Sequence, residues 1–404
     1  MRLRRSKEGG ATLTAEQIVA KRLARFSVKQ RALVYKLAGH YGVKVPSDVE
    51  RFFDALDAGN WEEAQRLFKS LRQGEYSAAP QDDSLRKFWR PIQEAYGGAE
   101  QAHTWPAQQL LDYGNNILNS LAPGMVYVGG NDAGCFIPTM LNATSDGDAH
   151  ITMTQNALAD SSYLDYLRAV NDGNLNIPSA ADSQAAFDQY TQDAKQRLEH
   201  DQQYPNEPPQ LLPGENVTEV DGKVQVSGVT SVMAINNILM QDLIKENPGV
   251  SFGLQESGPM PGTYVGGAPL GSIFQLNAAP DGQSAITSDM ANNAVNYWQD
   301  TAANLHSDVA AATSDVTLNS YAHDATSQGN LLANNNYPDQ AAQAYRSALD
   351  ISPNCQDAIK GLTQVLAQQG LYDQAGAALD NYLLNNPDQG KTVASYRKLY
   401  LAGK

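Results

Sequence analysis

Cysteine is nearly absent from this sequence, with Cys135 and Cys355 its two examples among 404 residues. They lie far apart in the chain, which argues against a disulfide framework and against a cysteine-based metal site. Long apolar runs are absent as well. The longest, at 125–130 and 231–240, are far shorter than the roughly 18 residues that a bilayer-spanning helix needs. We therefore expect a soluble chain without transmembrane segments, and the cytoplasm is the default compartment.

Catalytic and cofactor-binding motifs are also missing. The sequence contains no HExxH, GxSxG or GxGxxG pattern and no P-loop. Its six histidines are dispersed, and none has a metal-like partner nearby, which favours surface or core positions for all of them. We predict no metal ion, no cofactor and no catalytic residue. A non-enzymatic role fits the sequence better than an enzymatic one.

Charge is distributed unevenly along the chain. Residues 1–45 carry 11 Lys and Arg against 2 Glu, which leaves 18 basic and 42 acidic side chains for the remainder. This basic arm either lies against the acidic body or is simply solvated, with docking on an anionic membrane or a nucleic acid as the alternative. The acidic body repels phosphates, and its aromatic residues are not interleaved with basic ones, so we expect no nucleic-acid partner.

The first region, residues 1–92, is predicted to be helical. Thr14 and Gln17 have the spacing of a capping box, in which each side chain satisfies a backbone amide at the start of a helix. Ser47 and Glu50 predict a second capping box. The segment that follows it has the glycine, aromatic and small-residue spacing of one degenerate helix pair.

The period of the apolar residues changes from helix to strand in the next region, 93–285. Runs at 125–130 and 150–156 are each followed by a helical pattern, and this alternation predicts parallel strands joined by right-handed crossovers. Runs at 250–257 and 272–278 can extend the sheet. The predicted fold class is thus an α/β body, with a mostly parallel sheet flanked by helices, between N-terminal helices and a C-terminal α-helical repeat module.

Polar residues follow the predicted strands, where the carboxyl ends of parallel strands collect ligands. Asn131 and Asp132 follow the first strand, Asn156 and Asp160 follow the second, and Glu256 reaches the same edge from another strand. These five are the candidate ligand-binding residues. A structural alternative stays open for Asp132, Asn156 and Asp160, because Asp and Asn side chains also cap helices.

A 34-residue period marks the C-terminal region, 286–404. Pro353 and Pro387 are 34 residues apart, as are Ala341 and Ala375. This spacing is typical of tetratricopeptide (TPR) repeats, in which helix pairs bury their apolar faces by stacking on each other. Residues 325–401 resemble such a module, and the resemblance implies a protein partner. The side chains expected on its concave, partner-binding surface are Asn330, Asn334, Lys360 and Gln364.

A second resemblance involves residues 125–168. VYVGGNDAGCFIPT followed by HITMTQNALADSSYLDYLR resembles the soluble C-terminal region of large bacterial membrane glycosyltransferase-like proteins. In those proteins a strand that ends in a Gly-Asn/Thr-Asp turn precedes a second strand and an Asp-Tyr-rich helix. Transferase chemistry is expected in their membrane portion, which this sequence lacks. The resemblance therefore implies an accessory body near an envelope that recognises a glycan or a protein.

Two hypotheses follow from the sequence. The first is a non-enzymatic binding or scaffolding protein that uses its C-terminal TPR module for protein–protein interaction. The alternative is a glycan-related enzyme or a sugar-binding accessory domain, with its site at the carboxyl ends of the strands.

Overall fold

The computed structural model describes residues 13–72, 80–147, 149–171, 173–220, 222–258, 262–277 and 284–402. The first twelve residues of the predicted basic arm lie outside them. Within these ranges the helices are α1 (Ala15–Tyr41), α2 (Ser47–Asp57), α3 (Trp61–Leu71), α4 (Asp83–Arg86), α5 (Trp89–Thr104), α6 (Ala107–Ser120), α7 (Asp132–Ala143), α8 (Ser161–Asn171), α9 (Ala180–Gln203), α10 (Val229–Glu246), α11 (Ser288–Ser307), α12 (Val309–Ala312), α13 (Asp315–Asn334), α14 (Pro338–Ile351), α15 (Gln356–Gln368), α16 (Tyr372–Asn385) and α17 (Gly390–Leu401). The strands are β1 (Val126–Gly129), β2 (Thr152–Thr154), β3 (Asn216–Val220), β4 (Lys223–Ser227), β5 (Phe252–Leu254), β6 (Ala268–Leu270) and β7 (Ile273–Leu276).

The central sheet has the strand order β2-β1-β5-β7-β6. Strands β2, β1 and β5 run parallel, whereas β7 is antiparallel to both β5 and β6. The prediction of a mostly parallel sheet is therefore wrong, because the sheet is mixed. The antiparallel pairing of β7 with β6 follows from the tight hairpin between them, where Leu270 pairs with Ile273 and Gly271 adopts a φ of +61°. A two-residue hairpin of this kind reverses the chain and enforces antiparallel pairing.

The N-terminal helices pack against the helices that flank the sheet, with α1 lying across α5 and α6. The predicted capping box of Thr14 and Gln17 is present at the start of α1. The second one is wrong, since Ser47 is already the first helical residue and Pro46 occupies the cap position without a side-chain bond. Gly59, with a φ of +67°, forms the turn between α2 and α3.

The C-terminal module consists of two stacked helix pairs, α13 with α14 and α15 with α16, followed by α17. Ala375 and Leu379, from the second pair, are completely buried. The prediction that this region is built from stacked helices is thus confirmed. In contrast, Leu399 on α17 is 65% exposed, so it contributes little to the packing of the module. Fully burying a leucine side chain contributes about 1.5 to 3 kcal/mol, and the module gains this at Leu379 but not at Leu399.

Tyr345 of α14 holds the two helix pairs together. Its ring lies between the first helices of both pairs, where Gly329 of α13 and Gly361 of α15 face it. A Cβ atom added at either glycine would lie 2.5 Å from the ring, well inside the 3.5 to 4.0 Å separation of ordinary carbon contacts. The absence of a side chain at these two positions therefore allows the helices to close on the tyrosine.

Helix α13 belongs to the repeat module and also packs against the sheet. It contacts β6 and β7 along one side, and its Leu331 and Leu332 are completely buried. The apolar core consequently continues from the sheet into the repeats. None of the helices in the described part of the chain has the length and apolar character needed to cross a membrane.

Candidate functional site

The residues predicted for the concave surface line one cleft, together with Glu256, which follows strand β5. This cleft, which we call the repeat cleft, has a volume of about 280 Å³. Its walls are α13 and α15, and its floor includes the chain that follows β5. The structure thus places one member of the predicted strand-end site beside the four predicted groove residues: Asn330, Asn334, Lys360 and Gln364.

The spacing of the groove residues explains their alignment. Asn330 and Asn334 are four residues apart on α13, as are Lys360 and Gln364 on α15, and this spacing places each pair on one helix face. Asn334, Lys360 and Gln364 are exposed. The Asn330 side chain is held in place, because its Oδ1 accepts a hydrogen bond of 2.8 Å from the Tyr345 hydroxyl. The cleft therefore presents amide groups and one ammonium group to solvent.

Glu256 lies at the base of the repeat cleft and is only 2% exposed. Its Oε1 accepts a 2.8 Å hydrogen bond from the Tyr264 hydroxyl. Its Oε2 is buried and has no hydrogen-bond partner. Burial raises the pKa of Glu256 to about 7, although the Tyr264 hydroxyl, His323 and the Asn330 amide all act to lower it. The amide is near enough for this effect, but it does not complete a hydrogen bond to Oε2.

A buried polar network fixes the strand ends behind the cleft. Asp324 of α13 is 1% exposed and accepts hydrogen bonds from the Tyr113 hydroxyl (3.0 Å) and from Gln255 Nε2 (2.7 Å). Gln255 Oε1 in turn accepts from the backbone amides of Gly130 (2.9 Å) and Asn131 (3.1 Å). The network joins the ends of β1 and β5 to α6 and α13, and so positions Glu256, the next residue after Gln255.

His323 connects this network to the repeat cleft, which it lines. Its Nε2 lies 3.2 Å from the Ser257 carbonyl oxygen, and its Nδ1 lies 3.4 Å from Asn131 Nδ2 and 3.5 Å from Asp324 Oδ1. Burial acts to lower the pKa of His323, but the Asp324 carboxylate, the Ser257 carbonyl and Glu256 outweigh it and raise the pKa above its usual value. The sequence pattern does not single out His323, because the residues it meets are distant in the chain.

A second cleft lies on the other side of the strand ends and has a volume of about 430 Å³. We call it the strand-end cleft. It is lined by Asp132, Asn156 and Asp160, three of the five predicted ligand-binding residues. The other two do not join them. Glu256 opens into the repeat cleft, and Asn131 caps α7 by accepting a 2.8 Å hydrogen bond from the Gly134 amide.

Local hydrogen bonds occupy part of the strand-end cleft. Asp160 Oδ1 accepts from the amide and the hydroxyl of Ser162, both at 2.8 Å, at the start of α8. Asn156 Nδ2 donates to the Gly130 carbonyl oxygen at 2.6 Å. The cleft also contains the Arg90 guanidinium, which is paired with the buried Glu94 carboxylate. These polar groups therefore stabilise the local structure through hydrogen bonds and an ion pair within the chain.

The described part of the chain contains no group of three or more His, Cys, Asp and Glu side chains arranged to hold a metal ion.

Comparisons with known proteins agree with the architecture of the C-terminal module. Residues 331–398 match the family model described as "Tetratricopeptide repeat". Searches of curated proteins and of solved structures return no match, so the resemblance of residues 125–168 to glycosyltransferase-like proteins gains no support. The C-terminal module is similar to the tetratricopeptide repeats in its family match, its 34-residue period and the stacking of its helix pairs. This similarity suggests protein–protein interaction.

Proposed function

We propose that this chain is a non-enzymatic binding or scaffolding protein whose repeat cleft receives an extended segment of a protein partner. The observation that carries the proposal is the alignment of exposed polar side chains on successive first helices, α13 and α15, along one cleft. The family match over residues 331–398 supports a role in protein–protein interaction.

The size and chemistry of the cleft support a peptide segment as its ligand. A volume of about 280 Å³ is near the lower end of ordinary ligand pockets, about 300 Å³, and accommodates a few side chains. Amide groups at Asn334 and Gln364 are suited to the main-chain donors and acceptors of an extended segment. Lys360 adds a donor for a carbonyl or carboxylate group of the partner.

Site-specific photocrosslinking tests this proposal. A photoreactive residue at Gln364, in the cleft wall, is expected to trap a specific protein in the native cells. The same residue at Arg346 serves as the control, because Arg346 is exposed on α14 and does not line the cleft. The trapped protein is then purified and titrated against a Lys360→Ala/Gln364→Ala variant and against Arg346→Ala. Equal binding to both variants contradicts the proposal.

The alternative, a sugar-binding or glycan-related site, is supported by one observation, the convergence of Asp132, Asn156 and Asp160 on the strand-end cleft. Titration with oligosaccharides tests it. Asp132→Asn is expected to abolish binding without lowering the melting temperature, whereas Asp300→Asn, on the exposed face of α11, is expected to change neither. A large loss of stability in Asp132→Asn indicates a structural role instead.

A further inference from the structure

The base of the repeat cleft contains a buried acceptor without a donor. Glu256 Oε1 is satisfied by the Tyr264 hydroxyl, but Oε2 has no hydrogen-bond partner in the part of the chain that the structure describes. Buried polar atoms are almost always paired, and a buried carboxylate without a full set of partners is strongly unfavourable. Glu256 also lines an open cleft, so a small movement of its side chain would bring Oε2 within reach of a donor that enters the cleft.

Within the described residues no neighbouring group donates a hydrogen bond to Glu256 Oε2, although the Asn330 amide is near enough to lower the pKa of Glu256. Asn330 Oδ1 is bound to the Tyr345 hydroxyl, and His323 Nε2 lies against the Ser257 carbonyl oxygen. Lys360 lines the same cleft, but its ammonium group forms no ion pair with Glu256 within the described residues. The titratable or charged groups around the cleft are Tyr264, His323, Tyr345, Asp357 and Lys360.

We propose that Glu256 receives a cationic side chain, the ammonium of a lysine or the guanidinium of an arginine, from the partner segment that occupies the repeat cleft. This inference rests on the proposed function and adds the chemistry of the partner to it. A carboxylate from the partner is disfavoured at this position because two acidic groups at close range repel each other.

Charge complementarity favours a cation over a neutral donor. Outside the N-terminal arm the chain carries 42 acidic against 18 basic side chains, and Asp357 lies on the rim of the same cleft. A cation near Glu256 stabilises the ionised carboxylate and so lowers its pKa, which burial holds at about 7 in the free chain. Below pH 7, binding is thus coupled to the release of a proton from Glu256.

The test uses acetylated and amidated heptapeptides with random flanks and one fixed central residue, screened against the full chain at pH 8. The fixed residue is Lys, Arg, norleucine or citrulline, so each cation is compared with a neutral side chain of the same shape. The best sequence of each series is then titrated by calorimetry. We expect the lysine peptide to bind about 30-fold more tightly than its norleucine counterpart, because losing one partner of a buried charge pair has an effect of this size.

Two variants separate the pocket from the general negative field of the protein. Glu256→Gln keeps an acceptor for Tyr264 but removes the charge, and we expect the preference for lysine to fall below about threefold. Asp357→Asn removes the same charge from the exposed rim, and we expect the preference to remain within about threefold of the wild-type value. Melting curves of both variants show that they are folded.

The pH dependence gives an independent reading. With a pKa of about 7 for Glu256, the ionised fraction rises about tenfold between pH 6 and pH 8, and the affinity for the lysine peptide should rise by the same factor. His323, whose pKa is raised above its usual value, is a second titratable group at the cleft, so the dependence that persists in Glu256→Gln measures its contribution. The norleucine peptide should show little change with pH.

The contrary outcomes distinguish failure of the cation pocket from failure of the proposed function. Peptides retained without a preference for lysine or arginine overturn the cation pocket and leave the proposed function intact. A preference that persists in Glu256→Gln also overturns it, because the cation then binds elsewhere. Failure to retain peptides of every series overturns the proposed function and this inference together. The comparison of lysine with norleucine needs no variant, so it holds even if Glu256→Gln fails to fold.

Discussion

The repeat module and the ends of the central strands β1 and β5 are stabilised in different ways. In the module, small and apolar side chains recur at a 34-residue step, and Ala341 and Ala375 are buried at equivalent positions. At the ends of β1 and β5, Gln255 and Tyr113 both donate hydrogen bonds to Asp324, from which they are 69 and 211 residues distant in the chain. Repeated apolar packing spreads stability over many similar contacts, whereas a buried network depends on each of its members. Substitutions at these strand ends should therefore change the free energy of unfolding more than substitutions in the module.

Gly130→Ala provides the strongest test of this comparison. A Cβ atom at this position would lie 2.2 Å from the Ser257 amide nitrogen and 2.3 Å from the Gln255 carbonyl oxygen. Both are backbone atoms, so the strands must separate to make room. We expect a loss of about 3 kcal/mol or more in the free energy of unfolding, measured by urea denaturation. Gly147→Ala, where the new methyl group meets nothing within 4 Å, should change it by less than about 0.5 kcal/mol.

Glu256→Gln should stabilise the protein at high pH. In the unfolded chain Glu256 ionises near the ordinary value of 4.5, and in the folded chain near 7. The folded state thus retains a proton that the unfolded state has lost, and the stability of the wild type falls as the pH rises from 4.5 to 7. Glutamine does not titrate. We expect the variant to exceed the wild type by about 3 kcal/mol at pH 8, with a small difference at pH 5.

Urea denaturation at the two pH values measures this gain. Asp357→Asn, which removes an exposed acid from the rim of the same cleft, is the control and should change the stability by less than about 0.5 kcal/mol at either pH. An equal gain for Glu256→Gln at pH 5 and pH 8 would show that burial of the charge is not its cause.

Asp324→Asn should destabilise the protein by about 2 kcal/mol, because hydrogen bonds to a charged group contribute about 1.5 to 3 kcal/mol. Both carboxylate oxygens accept hydrogen bonds, from Tyr113 and from Gln255. Asparagine offers one acceptor, and its amide nitrogen then faces a donor. Amide hydrogen exchange should increase at the ends of β1 and β5 as well as in α13. A change confined to α13 would argue against a shared network.

The smallest expected effects lie within the repeat module. Gly361→Ala places a methyl group 2.5 Å from the Tyr345 ring, and we expect a net loss of about 1 kcal/mol after the higher helix propensity of alanine is included. Gly376→Ala, in the other helix of the same repeat, meets nothing within 4 Å. It should raise the stability by about 0.5 to 1 kcal/mol. Thermal unfolding of the two variants gives the sign of each effect, and a gain in both would contradict the packing described for Tyr345.

Local pattern was enough to predict most secondary structure. The apolar runs that end in glycine or polar residues became β1, β2, β5 and β7, since burial on both faces gives a strand a continuous apolar sequence. Strand β6 was missed because it has three residues and includes Pro269. Proline is confined to edge strands, and β6 is indeed at the edge of the sheet. The antiparallel pairing of β7 with β6 depends on this one short strand, whereas β7 is also antiparallel to β5.

The site was predictable only where periodicity determines position. Asn330, Asn334, Lys360 and Gln364 were placed on a common surface from their helical spacing, and the structure brings them to one cleft. The meeting of Glu256 with them depends on α13 packing across the strand ends, which the local sequence pattern does not specify. Their roles as binding residues remain our proposal.

Helix α13 is both the first helix of the repeats and a wall of the sheet, and this dual membership has a mechanical consequence. Because α13 packs on β6 and β7 and its Asp324 accepts a hydrogen bond from Gln255, we expect tension applied by a partner bound to the repeats to pass directly into the strands. The chain should therefore resist a pulling force as one unit, and a protease that cuts ahead of α13 should release no stable fragment of repeats.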